Sequence, residues 1–318
     1  MNTDNFNDFL DIFTHKESTD GKDKKIILPK MNGIHSLSIS NKALLTSVII
    51  PEGVTIIGDY TFAHCKSLMS VTIPNSVITI CDCAFDDCKS LTSVTIPDSV
   101  TTVGNCAFNG CYSLTKINVS KDNNNFCSID GVLFDKNKTK LICYPAAKTA
   151  KSYSIPTSVT SIADLAFYHC ESLTSIIIPN GVTNIGWGAF YDCKSLKSVT
   201  MPDSITTIDG CAFYNCSLLT NIIIPDSVTT VDGGAFKNCA SLTSVTLESG
   251  VKAIGYDAFS GCASLMSVTI PNSVANIDKT AFHNCSPDLT IYGERGSYAE
   301  SYAKNNYVKF KVSAGSLS

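Results

Sequence analysis

Arginine is almost missing from this chain: Arg295 is the only one among 318 residues. Charged residues make up 16% of the sequence, and the formal net charge is −4. Phosphate recognition uses clustered guanidinium forks on a basic face, so a nucleic-acid partner is excluded. No apolar run approaches the roughly 18 residues that a membrane-crossing helix needs, so no transmembrane segment is expected. The opening residues Met1-Asn2-Thr3-Asp4-Asn5 lack the basic start, apolar stretch and small-residue cleavage site of a signal peptide. That predicts against a conventionally exported precursor and keeps a cytoplasmic location as an alternative to a surface or secreted one. There is no Walker A loop, and no Gly-x-Gly-x-x-Gly leads from a strand into a helix, so no nucleotide cofactor is expected. Two things are plentiful instead: 44% of the residues are apolar, enough for a large core, and there are 15 cysteines.

The plentiful residues recur at a fixed spacing. With Pro51 as phase zero, Pro74 and Pro97 follow at intervals of 23. A second register runs through Pro156, Pro179, Pro202, Pro225, Glu248 in the proline slot, and Pro271. Eleven residues after each slot stand Phe62, Phe85, Phe108, Phe167, Phe190, Phe213, Phe236, Phe259 and Phe282. Fourteen after stand Cys65, Cys88, Cys111, Cys170, Cys193, Cys216, Cys239, Cys262 and Cys285. Leu45, Val48 and Ile50 mark a degraded coil before Pro51, giving about eleven coils.

A unit this short cannot close a core alone, but stacked units turn each apolar phase into a continuous internal ladder. The Leu-x-x-Val-x-Ile run, such as Leu91 to Ile96, alternates in its second half and predicts a short strand. Equivalent strands then pair in parallel, with rungs about 4.7–4.9 Å apart. The following proline ends the strand, and Pro-Asp-Ser or Pro-Asn-Ser turns the chain. The next apolar pair, Val100 and Val103 for example, predicts a short extended segment. Ala-Phe-x-x-Cys predicts a tight turn or one helical turn that drives the phenylalanine inward.

The pattern Pro74-Asn75-Ser76-Val77…Ile80…Ala84-Phe85…Cys88…Ser90-Leu91-Thr92-Ser93-Val94-Thr95-Ile96 resembles the BspA-like leucine-rich repeat. The resemblance spans roughly residues 28–293. It implies a curved solenoid and a non-enzymatic surface or secreted protein of anaerobic bacteria and some protists, associated with adhesion to host proteins, other cells and extracellular matrix. The expected fold is a single right-handed leucine-rich-repeat solenoid with one parallel β-strand per 23-residue coil, and with turns or short helical turns opposite. Residues 1–27 form an N-terminal capping helix and loop in this reading, and residues 294–318 a C-terminal cap.

An open stack would expose apolar rungs and strand edges. Phe6, Phe9, Leu10 and Phe13 share one helical face and predict the N-terminal cap; residues 16–25 are charged and predict a loop. Tyr298, Ala299, Tyr302 and Ala303 suggest a short helix, and Val308, Phe310 and Val312 a closing strand. The segment Gly296 to Ala303 is similar to one that often ends bacterial BspA-like chains. Residues 120–155 interrupt the array. There, Asp130-Gly131 and the Asp135-Lys136-Asn137-Lys138 turn are hairpin signals between apolar runs. Six lysines against three aspartates give this segment a local balance of +3, and Lys136, Lys138, Lys140 and Tyr144 are its candidate recognition residues. A hairpin that only joins two sub-stacks is the alternative.

Catalysis and metal binding find little footing. His64 and His169 share one variable phase and build no triad with Ser, Cys or Asp. Cys81, Cys83, Cys88, Cys106 and Cys111 are the one cluster worth testing for metal, yet ladder phases account for them. In-register thiols point the same way, which opposes disulfides, so each cysteine reads as a small buried hydrophobe suited to a reducing or anaerobic setting. The candidate binding face is the outward side of the strands: Thr92, Ser93, Thr95, Thr115, Lys116, Thr174, Lys197, Thr200, Thr220, Thr243, Ser244, Thr246 and Thr269. It is a low-charge hydroxyl surface suited to another protein, or else to a glycan or ice, although hydroxyl rows also simply keep an exposed sheet soluble. Lys66, Lys89, Lys194 and Tyr112 form a second patch. No enzyme activity, cofactor or metal is expected, and the chain is expected to be a monomer.

Overall fold

The computed structural model describes residues 24–27, 33–34 and 42–313. The helix expected over Phe6 to Phe13 lies outside the described residues. The chain is a parallel-strand β-solenoid of about 12 turns. It folds as two compact units, residues 1–148 and 149–318, and the boundary falls inside the segment expected to interrupt the array.

Residues 74–96 show how one turn is built in the first unit. The Pro74 carbonyl accepts the Val77 N–H at 3.1 Å, closing the turn that proline begins. Thr79–Ile80 forms a two-residue strand that pairs in parallel with Ile56–Ile57 on one side and Thr102–Val103 on the other. The chain then turns through Ala84 and Phe85, passes Cys88 and Leu91, and enters the strand Ser93–Ile96. That strand alternates as the Ser-Val-Thr-Ile pattern dictates: Val94 and Ile96 are buried and Thr95 is exposed. It pairs in register with Lys116–Val119, Val94 opposite Ile117 and Ile96 opposite Val119. Between the regular coils each such pairing joins residues 23 apart, so there the sequence period and the hydrogen-bond register are one quantity.

The Ala-Phe-x-x-Cys piece is a tight turn. The Cys88 N–H bonds the Phe85 carbonyl three residues back, while the Phe85 N–H reaches the Ala107 carbonyl of the next coil at 2.9 Å. Two residues of each such turn but the last are left-handed, as at Cys83 (φ 53°) and Asp87 (φ 55°) in this coil. The second position is filled by His64, Asp87, Gly110, His169, Asp192, Asn215, Asn238, Gly261 and Asn284, nearly all residue types that tolerate positive φ. The variable phase is thus selected by backbone conformation.

Between the long strand, the short strand and this turn lies the core. In the first unit Phe62, Phe85 and Phe108 stack at centroid distances of 5.3 and 5.7 Å. In the second unit Phe167, Phe190, Phe213, Phe236, Phe259 and Phe282 continue the same arrangement at 4.8 to 5.4 Å. Tyr302 packs edge-on against Phe282 at 5.9 Å. It comes from the helix Tyr298–Asn305, whose N-cap Ser297 accepts the Glu300 N–H while the Glu300 carboxylate accepts the Gly296 N–H. Lys309–Val312 then adds a parallel strand to Thr290–Gly293.

Two expectations need correction. Lys24–Ile27 is a strand in register with Leu45–Ile49, so the stack starts inside the segment read as cap and loop, and there is one turn more than counted. Ile26 and Leu28 before Pro29 repeat the strand-then-proline order with a spacing of 22 to Pro51, which a strict count of 23 passes over. The turns group by contact into two compact units. The phenylalanines accordingly form one file in each unit.

The interruption is an antiparallel meander. Phe126–Ile129 pairs with Val132–Asp135 across Asp130-Gly131, both at positive φ, the conformation that a two-residue hairpin turn demands. Lys140–Cys143 adds a third strand. Gly131 sits so close to Lys116 that a β-carbon there would lie 2.7 Å from the lysine's own, and its carbonyl accepts the Ile117 N–H at 2.9 Å. Asn123 stands at the phase where other coils carry Val or Ile, and it is fully buried. Its amide donates to the carbonyls of Pro97 (2.6 Å) and Val100 (3.0 Å), and its oxygen accepts the N–H groups of Asn125 and Phe126, both at 2.8 Å. One side chain thereby closes the regular stack and launches the hairpin.

Candidate functional site

The outward rows of the long strands hold the residues named from the sequence. In the first unit Thr92, Thr95, Thr115 and Lys116 are exposed and Ser93 is half-buried. In the second unit Lys197, Thr200, Thr220, Thr243 and Thr246 are exposed, and Thr174, Ser244 and Thr269 are half-buried. The alternation of the strands places them there, because the intervening Val and Ile face the core. The rows are not uniform hydroxyl surfaces. At the first position the threonine hydroxyl donates to the carbonyl of the residue one turn back: Thr115 to Thr92 (3.0 Å), Thr174 to Lys151 (2.8 Å) and Thr243 to Thr220 (2.9 Å). Those hydroxyls clasp adjacent turns. The third position is more open, and there Ile177 (59% exposed) and Ile223 (60%) stand in line with Thr200, Thr246 and Thr269. These two side chains interrupt the hydroxyl row with apolar surface.

The insertion places its candidates differently. Lys138 and Lys140 are exposed, and Lys136 is exposed with its ammonium hydrogen-bonded to the Asn123 carbonyl. Tyr144 is only 2% exposed and is removed from any outward site. Val132, Leu133, Phe134 and Leu141 are also fully buried, and Phe126 and Leu133 join the core of the first unit's coils. The second lysine patch is largely neutralised. Lys89 lies 3.4 Å from Asp87 and 5.4 Å from the Tyr112 ring centroid, and Lys194 lies 3.1 Å from Glu171.

Two features escaped the sequence reading. His64 and His169 each face an aspartate one turn on, Asp87 at 3.3 Å and Asp192 at 3.6 Å, because the partner occupies the same phase of the next coil. The cysteine ladder is also more than apolar filling. Cys88, Cys111, Cys193, Cys216, Cys239, Cys262 and Cys285 each direct Sγ at the carbonyl oxygen of the phenylalanine 26 residues earlier, at 3.0 to 3.2 Å. A thiol is small enough for the core and still donates weakly, so it satisfies a second lone pair of a buried carbonyl. Burial pushes the Cys239 thiol up to about 12 and the Cys285 thiol up to about 11, so both stay protonated. The constant offset of the Phe and Cys phases carried this signal. Among the described residues no group of three His, Cys, Asp or Glu is placed to hold a metal ion, and no helix is long and apolar enough to cross a membrane.

In-register turns with a long strand, a short strand and a tight phenylalanine turn define a leucine-rich-repeat β-solenoid. The chain belongs to the family described as BspA type leucine-rich repeat region, which matches six copies over residues 33–153 and 160–290. Similar solved structures include the pneumococcal vaccine antigen PcpA. It is 23% identical with a TM-score of 0.75, and the match covers 95% of this chain and 83% of that one. A leucine-rich cell surface protein from Faecalibacterium prausnitzii A2-165 is 34% identical with a TM-score of 0.62; the match covers 81% of this chain and 62% of that one. A leucine-rich repeat protein from Eubacterium ventriosum is 26% identical with a TM-score of 0.59, covering 82% and 90%. None of these three carries an enzyme's name. No curated protein matches the chain.

Proposed function

We propose that the chain is a non-catalytic protein-binding module of adhesin type, with the outward long-strand face of the second unit as its contact surface. The observation that carries this reading is the open row of Ile177, Thr200, Ile223, Thr246 and Thr269, apolar at its centre and almost uncharged. Such a surface holds a protein by shape, apolar contact and dispersed hydrogen bonds, with little electrostatic steering. The family and the cell-surface name of one structural relative support an extracellular setting. The test is binding of the purified chain to immobilised extracellular-matrix proteins and to whole cells, beside the Ile177→Lys/Ile223→Lys variant. Saturable binding that the variant loses supports the reading, and binding no better than background on every surface removes it.

The cysteines favour a second reading, an intracellular scaffold. All fifteen are free thiols, a state that a reducing compartment maintains. Fractionation of the native cell separates the two, since protein found outside the cell eliminates the scaffold.

A further inference from the structure

A second surface of the same unit lies at the turns that follow the short strands. Backbone bonds Leu165 to Trp187, Gly188 to Gly210, Cys211 to Gly233 and Gly234 to Tyr256, at 2.8 to 3.0 Å, tie five successive turns into one strip. The strip comprises residues 163–165, 186–188, 209–211, 232–234 and 255–257, with four aspartates and no Lys, Arg or His. Trp187 is 48% exposed and Tyr256 65%. Between them stand Gly210 and Gly233. A β-carbon at Gly233 would lie 2.1 to 2.6 Å from three ring atoms of Tyr256, and one at Gly210 would lie 3.5 to 3.6 Å from the Trp187 indole. The two rings therefore lie down over adjacent glycines, each with one side on backbone and the other open to water.

The charges beside them are one-sided. Asp257 is paired with Lys237 at 2.7 Å. Among the described residues no basic group forms an ion pair with Asp164, Asp209 or Asp232. The Asp164 carboxylate accepts the Trp187 N–H at 2.9 Å, which holds the indole's backbone against it. Burial, together with the charges of Asp232 and Asp164, raises the pKa of Asp209. A cation laid on this strip would relieve that repulsion.

We propose that this strip binds an arginine-bearing polypeptide segment, with guanidinium groups stacked on Trp187 and Tyr256 and paired with Asp209 and Asp232. The guanidinium is planar, stacks on aromatic faces and forks onto carboxylates, so one group satisfies both halves of the strip. A neutral sugar would use the rings and leave the like charges uncompensated. A second copy of this chain is a poor partner, because each copy carries one arginine. The strip is separate from the long-strand face, so either surface can fail without the other.

Trp187 is the only tryptophan, so its emission reports on this surface alone. The full chain is titrated with an alternating Gly/Arg peptide, a Gly/Lys peptide of equal length and a series of neutral oligosaccharides, with circular dichroism confirming the fold of each variant. The expected result is a saturable change with the Gly/Arg peptide, weaker with Gly/Lys and weakened by salt. Tyr256→Ala and the Asp209→Asn/Asp232→Asn pair should each reduce affinity about tenfold. The Asp59→Asn/Asp82→Asn pair in the first unit should leave it unchanged. Response to an oligosaccharide without response to Gly/Arg overturns the proposal in favour of a glycan surface. Equal loss from the first-unit pair, a change with protein concentration alone, or no saturable response also overturns it.

Discussion

Replacing Cys216 by serine and by alanine separates two roles for the buried thiols, because each role predicts the opposite order of stability. Cys216 is fully buried, with Sγ 3.2 Å from the Phe190 carbonyl oxygen. That oxygen also accepts the Cys193 N–H at 3.2 Å, so the thiol supplies its second bond. If the thiol acts as a donor, serine retains the bond, whereas alanine loses it together with the sulfur's contacts. A net hydrogen bond is worth about 0.5–1.5 kcal/mol, a thiol's nearer the lower end, so alanine should fall below serine by about 1 kcal/mol. If the thiol is only apolar filling, serine brings an extra polar group into the core at about 1–3 kcal/mol, and serine should fall below alanine. The assay is urea unfolding under reducing conditions at neutral pH, followed through Trp187, which belongs to the same unit. Midpoints compare directly if the slope is unchanged. Serine less stable than alanine would refute the donor role, and with it the account of why cysteine recurs beside the phenylalanine file.

Phe213 stacks between Phe190 (4.9 Å) and Phe236 (5.2 Å), so Phe213→Ala should cost about 3–5 kcal/mol in a urea melt, and Phe213→Leu distinctly less. Asn123→Ala strands the Val100 carbonyl and the N–H groups of Asn125 and Phe126, and leaves the Pro97 carbonyl only the Val100 N–H at 3.4 Å; a loss of about 3 kcal/mol or more is expected by calorimetry, with faster amide exchange at 125 and 126. The thiol ladder should make the fold sensitive to alkali. Cys239 and Cys285 titrate near 12 and 11 when folded, against about 8.5 for a free thiol, so folding holds protons that the unfolded chain releases. Their contribution is intact below pH about 8.5 and declines by up to about 1.4 kcal/mol per pH unit per thiol above it. Urea midpoints that stay level from pH 8 to 10 would contradict this.

The repeat was legible because a solenoid writes its geometry into the chain. When each turn contacts only its neighbours, equivalent positions meet equivalent positions, and one period is stamped on every buried phase. The stacked phenylalanines, the strand of the Val-x-Ile run, the proline turn and the Asp130-Gly131 hairpin all followed from spacing and residue type. So did the placement of Thr95, Thr200 and Thr246 on an outward row, since strand alternation leaves no other choice once Val and Ile face inward.

Other features depended on contacts that residue types do not announce. Lys24–Ile27 joins the sheet despite its irregular spacing, because strand pairing needs matching backbone groups and tolerates a change in turn length. Asn123 looks like a loop residue in the sequence; only folding shows four backbone groups converging on it. Tyr144 could have faced either way, and the meander's packing buried it. Trp187 and Tyr256 lie three turns apart, and the position of one ring over Gly210 and of the other over Gly233 depends on rotamers that the missing side chains permit. Periodicity is a one-dimensional property and was settled by the order of residues. The direction of a side chain at an irregular position is set by whatever the next turn leaves open, and that space exists only in the folded chain.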